Sequence, residues 1–132
     1  KISPHESKAM SKTVADLVSF QDATTPGTID FPKPERLVAG NPQRTTWNHY
    51  SDAGERLFSG VWESEPGAWK VFYDENEDEF CYIVAGRFRL HDAHGAFKEY
   101  QAGDAFVIPG GFEGVWETLE TVRKLYVIAI KG

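Results

Sequence analysis

Glu79-Phe80-Cys81-Tyr82-Ile83-Val84-Ala85-Gly86 and Gly103-Asp104-Ala105-Phe106-Val107-Ile108-Pro109-Gly110-Gly111 are the two stretches that decide how this chain folds. In the first, strand-forming residues run from a carboxylate to a glycine. Gly86 reads as a tight reversal between two strands, where a positive φ suits a residue without a Cβ. In the second, Gly103-Asp104 turns the chain, and Pro109-Gly110-Gly111 ends a strand and re-aims the next. The residues between the two stretches hold one hairpin, reversed at Asp92-Ala93-His94-Gly95.

Outward from this pair the same punctuation continues. Residues 45–50, 56–63, 69–73, 79–85, 87–91, 96–100, 105–108, 114–117 and 122–130 are short strand-like runs rich in aromatic and β-branched side chains. Such spacing predicts a β-sandwich or barrel. One helix signal exists: Ser11 can cap a short helix over 11–20, on which Val14, Leu17 and Val18 share a face. A single helix cannot supply the crossovers of a parallel α/β sheet. No segment after Gly40 holds a helical period, so no long helix is expected there. Residues 24–42, with Pro26, Gly27, Pro32, Pro34, Gly40 and Pro42, read as an extended strap, and the polar residues 1–10 as a mobile tail. The expected organisation is a tail, short helix and strap over 1–40, then a barrel domain over 41–132.

With 132 residues the chain has length for one core. A net charge of −6 argues against nucleic acid or an anionic membrane surface, both of which require a basic face. The single cysteine forms no internal disulfide, so nothing implies secretion. No apolar run approaches the roughly 18 residues of a membrane span. The first ten residues hold no apolar signal core. A cytoplasmic protein is expected.

The two opening stretches, in this order and at this spacing, resemble the two motifs of the cupin superfamily. Gly60-Val61-Trp62-Glu63-Ser64, Pro66-Gly67, Tyr73-Asp74-Glu75-Asn76-Glu77, Cys81-Tyr82-Ile83, Trp116-Glu117-Thr118 and Val122-Arg123-Lys124-Leu125-Tyr126 follow the same order as in one subgroup. That subgroup includes ureidoglycine aminohydrolase and the ethanolamine-utilisation Q protein, and the likeness runs from about Gly40 to Gly132. It implies an all-β, RmlC-like cupin jelly-roll barrel of two antiparallel sheets, preceded here by the short helix and strap. It also implies a homodimer joined through sheet edges or terminal segments. Metal-bearing cupins hold a transition metal with three His and one Glu. Those positions fall here on Tyr73, Glu75, Gly114 and Glu79, so only the Glu remains. One carboxylate and a phenol do not replace three imidazoles. No transition-metal site and no cofactor are expected.

The candidate site is therefore the barrel interior between Tyr73, Glu79 and Trp116. Glu79 shares its strand face with Cys81 and Ile83 by alternation. An inward carboxylate there is either a general acid or base or a structural hydrogen-bond partner. Tyr73 either binds or protonates a polar ligand or fills the space a metal would take, and Glu75 shares its parity. Trp116 is a stacking wall or plain core. Cys81, with no His locally paired to it, reads as a small buried hydrophobe. Lys124 either pairs with a barrel carboxylate or lies on the surface. The run Asp74, Glu75, Glu77, Asp78, Glu79 is a solvated loop with one inward member or a hard-cation site. His49 alone among the histidines lies where it can point inward.

Three functions are compatible with these residues. The first is a barrel that binds a small polar metabolite without a transition metal. The second is a metal-independent enzyme, aminohydrolase- or isomerase-like, acting on a ureido or amino-acid-like substrate through Glu79 and Tyr73. The third is a structural subunit with a filled barrel.

Overall fold

The computed structural model describes residues 10–132, so the expected mobile tail falls, but for Met10, outside the described residues. Among the described residues nine strands follow in chain order: β1 Thr28–Asp30, β2 Leu37–Ala39, β3 Arg44–Ser51, β4 Leu57–Ser64, β5 Gly67–Phe72, β6 Glu77–Asp92, β7 Phe97–Gln101, β8 Ala105–Ile108 and β9 Glu113–Ile130. All pairings are antiparallel.

Two long strands organise the rest. β6 and β9 pair with each other from Glu77↔Ile130 to Asp92↔Gly114. The first half of β6 and the second half of β9 belong to one leaf, flanked by β8 on one side and by β4, β3 and β1 on the other. The opposite halves form the second leaf with β7, β5 and β2. The two expected sheets are thus one sheet, curled on itself where both long strands bend.

The bend corrects the reading of Gly86. It does not reverse the chain between two strands; it lies inside β6, with φ +91°. A Cβ at this position would run into the backbone carbonyl of Thr121 on β9. Up to the bend the inward residues of β6 are odd-numbered, Glu79, Cys81 and Ile83; beyond it they are even-numbered, Phe88 and Leu90. The pairing with β9 is irregular over the same residues. The glycine lets one strand keep an apolar face inward on both leaves while it changes direction.

Between the leaves Trp116 stacks on Phe88 with centroids 4.1 Å apart and planes 3° from parallel. Both are essentially excluded from solvent, as are Cys81, Ile83, Ile108 and Val122 around them. Burying each large side chain of this kind stabilises the fold by about 2–3 kcal/mol.

The helix expected over 11–20 is replaced by two single 3₁₀ turns, Val14–Asp16 and Phe20–Asp22. Thr13, not Ser11, caps the first. Val14, Leu17 and Val18 remain exposed, so the apolar stripe has nothing to pack on, and an unpacked helix this short is unstable. The strap is more than a cover. Its β1 pairs with β3 and its β2 with β5, lengthening both leaves, and the turn at Lys33–Arg36 connects them.

Gly86→Ala should therefore cost about 2 kcal/mol or more, lowering Tm by roughly 6 °C or more. Gly103→Ala is the control, since φ is +96° there but nothing lies within 4 Å of the added carbon. Thermal unfolding should show the smaller loss for Gly103→Ala. Equal losses would mean that the contact with Thr121 does not matter.

Candidate functional site: a charged floor beneath an aromatic wall

The curl shapes an open, concave cavity of about 710 Å³. Alternation supplies most of its inner lining. β3 contributes Thr46 and Asn48, β4 Phe58 and Trp62, β5 Trp69 and Val71, and β9 Trp116, Lys124 and Tyr126. Pro32, Lys33 and Arg36 of the strap close one side of the mouth.

At the floor Glu79 is 4% exposed and both carboxylate oxygens are occupied. The Tyr73 hydroxyl donates to Oε1 at 2.6 Å, and Lys124 Nζ lies 2.8 Å from Oε2. Three pieces of chain create this meeting. Glu79 leads the inward face of β6. Lys124 is four residues along β9 from the partner of Glu79, because Glu79 pairs with Ile128 and Ile83 with Lys124. Tyr73 is clamped by the Pro109-Gly110-Gly111 loop: its N–H donates to the Phe112 carbonyl, and its carbonyl accepts from the Gly111 N–H, both at 2.9 Å. Gly110 N–H in turn donates to Asp78 Oδ1 at 2.8 Å.

Lys124 is as buried as Glu79 and sits between aromatic faces, its Nζ 4.5 Å from the Trp62 ring centre and 4.6 Å from that of Trp116. An ammonium in such a setting gains from both ring quadrupoles. Burial is the largest influence and pulls its pKa down, but Glu79 and Cys81 together outweigh burial and hold the group above the ordinary lysine range. Burial, then the adjacent Glu79 charge, pushes Tyr73 well above the usual phenol range, so Tyr73 stays a hydrogen donor. Cys81 is fully buried beside the pair. Burial lifts its thiol to about 12 against a smaller downward pull from Lys124. Tyr126 is also lifted to about 12, chiefly by burial, and its hydroxyl donates to Asn48 Oδ1 at 2.7 Å.

The structure brings Tyr73, Glu79, Trp116 and Lys124 to one cavity and leaves two other candidates outside. Glu75 is exposed in the loop before β6 and does not line the cavity; Glu77, two residues on, does. Cys81 lies behind the floor in the core rather than on the cavity surface. Lys124 pairs with the barrel carboxylate and is not a surface lysine. His49 points away from the cavity, its Nδ1 2.9 Å from Thr25 Oγ1 and its ring against Phe20. Of the acidic run, Glu77 and Glu79 face the cavity, whereas Asp78 is held by Gly110 and Lys131. Sequence reasoning missed Asn48, Trp62, Trp69 and Tyr126. Parity with Lys124 along one strand was the available signal for Tyr126.

The four cupin ligand positions do not form a transition-metal site here. Tyr73 spends its proton on Glu79, Glu75 faces away, and an ammonium takes the oxygen of Glu79 that a cation would use. Gly114 has no room for a side chain, because a Cβ would strike the His91 carbonyl. Among the described residues no group of three His, Cys, Asp or Glu side chains is arranged around a common point for a metal.

A curled antiparallel barrel with a ligand-sized cavity and a carboxylate from the first motif at its floor defines a cupin. The chain belongs to the family of EutQ-like cupin domains, whose profile matches residues 52–126, more than half of its length. The fold is similar to that of a protein of unknown function of the DUF861 family from Pseudomonas syringae pv. tomato, at 24% identity and TM-score 0.67 over 80% of this chain and 45% of that one. It is also similar to the EutQ protein of Clostridium difficile, at 21% identity and TM-score 0.59 over 68% and 64%. A putative ethanolamine utilization protein Q from Salmonella typhimurium matches at 16% identity and TM-score 0.59 over 83% and 100%. The chain spans less than two thirds of the length of the first two. No curated protein matches the chain in sequence. Among the described residues no helix is long and apolar enough to cross a membrane.

The buried thiol and phenols dictate the response to alkali. Each keeps its proton in the fold beyond the pH at which it ionises in the unfolded chain, and Lys124 likewise keeps its own. Their contributions are complete below the unfolded pKa values and are lost as pH rises toward the folded ones. For Cys81 the window runs from its ordinary value of 9.0 to about 12, and each unit within it removes about 1.4 kcal/mol. Urea unfolding at about pH 8 and pH 10.5 should show Cys81→Ala losing roughly 2 kcal/mol less stability between the two than the wild type. Identical losses would place the thiol in contact with solvent.

Proposed function

We propose that this chain is a cupin barrel that binds a small polar metabolite in its cavity, without a transition metal and without a cofactor. The observation that carries the reading is the carboxylate of Glu79, with one donor on each oxygen, at the floor of an open cavity of about 710 Å³. The volume lies in the range of small-molecule sites, which favours a ligand over a filled structural barrel. Both oxygens of Glu79 are occupied, and Tyr73 and Lys124 hold their protons, so the floor offers preorganised polarity rather than a poised base.

One observation favours a second reading, a metal-independent aminohydrolase- or isomerase-like enzyme on a ureido or amino-acid-like substrate. The short Tyr73–Glu79 hydrogen bond, 2.6 Å, is a ready path for a proton between phenol and carboxylate. In that reading Tyr73 binds the substrate, and a proton the substrate releases passes to the phenol oxygen as the phenol proton passes to the Glu79 carboxylate. The cytoplasm suits a chain whose one cysteine is a buried free thiol.

A homodimer is proposed on the outer face of the first leaf. Phe80, Tyr82 and Val84 of β6 and Val107 of the edge strand β8 form an exposed apolar strip, and β8 has no second strand partner among the described residues. A second copy related by a two-fold axis covers the strip and the edge together.

Differential scanning fluorimetry against a metabolite library tests the main reading. A ligand at about a hundred times its Kd stabilises by about 2.7 kcal/mol, and blocking the cavity with Thr46→Trp should abolish the shift. Failure of every compound to raise Tm, or about one Zn, Ni, Fe or Mn per chain by elemental analysis, would contradict it. Sedimentation should show a dimer that Tyr82→Lys dissociates.

A further inference from the structure

The charges around the cavity run against those of the chain. The protein carries a net charge of −6, yet the mouth is lined by Lys33 and Arg36 of the strap, Arg44 of β3 and Lys70 of β5, against one carboxylate, Glu77. Arg44 is occupied by a two-pronged contact with Asp30, at 2.9 and 2.7 Å, and lies over the Trp69 ring. Lys33, Arg36 and Lys70 form no ion pair among the described residues. Backbone pairing brings the three residues together at one edge of the cavity. The Arg36 N–H donates to the Lys33 carbonyl, and the Lys70 N–H donates to the Arg36 carbonyl, both at 2.8 Å.

Burial and then the charges of Glu79 and Asp74 raise the pKa of Glu77, which weakens the one opposing charge at the rim. Deeper in, the wall is aromatic. Trp62 is half-buried, and its ring packs edge-on to that of Trp116 at 5.1 Å. Below it lies the ammonium of Lys124. An ammonium has three N–H donors, and Glu79 takes only part of that capacity.

Unpaired cations at a concave mouth focus the field on an incoming anion, and the planar wall behind them suits a flat apolar body. We propose that the ligand of this barrel is a small organic anion with a planar body, its anionic group held at the mouth by Lys33 and Arg36 and its body laid against Trp62. This inference rests on the proposed ligand-binding reading and adds the class of ligand. The strap thereby becomes part of the site: Lys33 and Arg36 reach the mouth because β1 and β2 anchor both ends of the turn that carries them. A carboxylate and a phosphate monoester share the required chemistry.

The test uses four probes with one common ring: benzoate, phenyl phosphate, benzamide and benzylamine. Titration of the intact chain is followed by tryptophan fluorescence, since Trp62, Trp69 and Trp116 line the cavity, and by calorimetry. Benzoate or phenyl phosphate should bind at least about tenfold more tightly than benzamide, and benzylamine more weakly still. The preferred anion identifies which acidic group the mouth takes. Lys33→Gln/Arg36→Gln should weaken the anion about tenfold, leave benzamide unchanged and flatten the salt dependence. Both positions are exposed, so the variant should fold. Equal binding of benzamide and the anions, or an anion affinity untouched by the double substitution, would overturn the ligand class while the cavity remains a binding site. No response to any probe up to about 10 mM, where even a weak millimolar site would register, would likewise overturn the ligand class, and the metabolite-library screen decides separately whether the cavity binds at all.

Discussion

The ion pair between Glu79 and Lys124, 2.8 Å long with each side chain 5% exposed, is the constraint on which the barrel depends. Neither charge could be buried alone, because an isolated ion in an apolar interior costs several kcal/mol. Bringing them together requires the β6/β9 register, and a slip of one residue would turn Lys124 outward and leave Glu79 unpaired. The same register sets Trp116 beside Leu90 and Trp69, and so builds the aromatic wall over the pair. Tyr73 completes the arrangement from the loop side. Two motifs far apart in sequence thereby meet: the Pro-Gly-Gly turn clamps Tyr73, and Tyr73 donates to the Glu of the other motif.

This arrangement replaces what a cation does in a metal-bearing cupin. There a divalent ion offsets the buried carboxylate; here an ammonium does so, braced by two indole rings. The substitution changes the chemistry available. An ammonium donates hydrogen bonds and attracts anions, but it offers no open coordination position. No buried side-chain nitrogen or oxygen among the described residues lacks a partner. The strap beside the mouth is held by two three-residue strands.

Most of the fold was legible because β-structure writes itself in alternation and turn chemistry. Glu79, Cys81 and Ile83 do share the inward face that period two assigns them, and Gly86 and Gly111 do take positive φ. What misled was continuity. A glycine in a strand bend reads like a glycine in a reversal, so β6 looked like two strands, and the polar stretch around Glu120 made β9 look like two as well. Counting back from Glu79 gave the parity of Glu75, but the loop at Asp74–Asn76 breaks the strand, and alternation restarts at Glu77. Lys124 was undecidable from its neighbours alone. Its inward orientation follows from running with Val122 and Tyr126 on one face, which a lysine's polarity conceals. The helix over 11–20 failed for the opposite reason: the local pattern was present, and no tertiary surface received it.

The coupling between Glu79 and Lys124 is the most direct measure of this account. In a double-mutant cycle of Glu79→Gln and Lys124→Met, followed by urea unfolding at neutral pH, each single substitution strands one buried charge and should cost about 3–5 kcal/mol. The double variant strands none, so it should be more stable than the sum of the singles requires by about 2 kcal/mol or more. Single losses near zero, or losses that add without coupling, would contradict the claim that this pair holds the floor of the barrel.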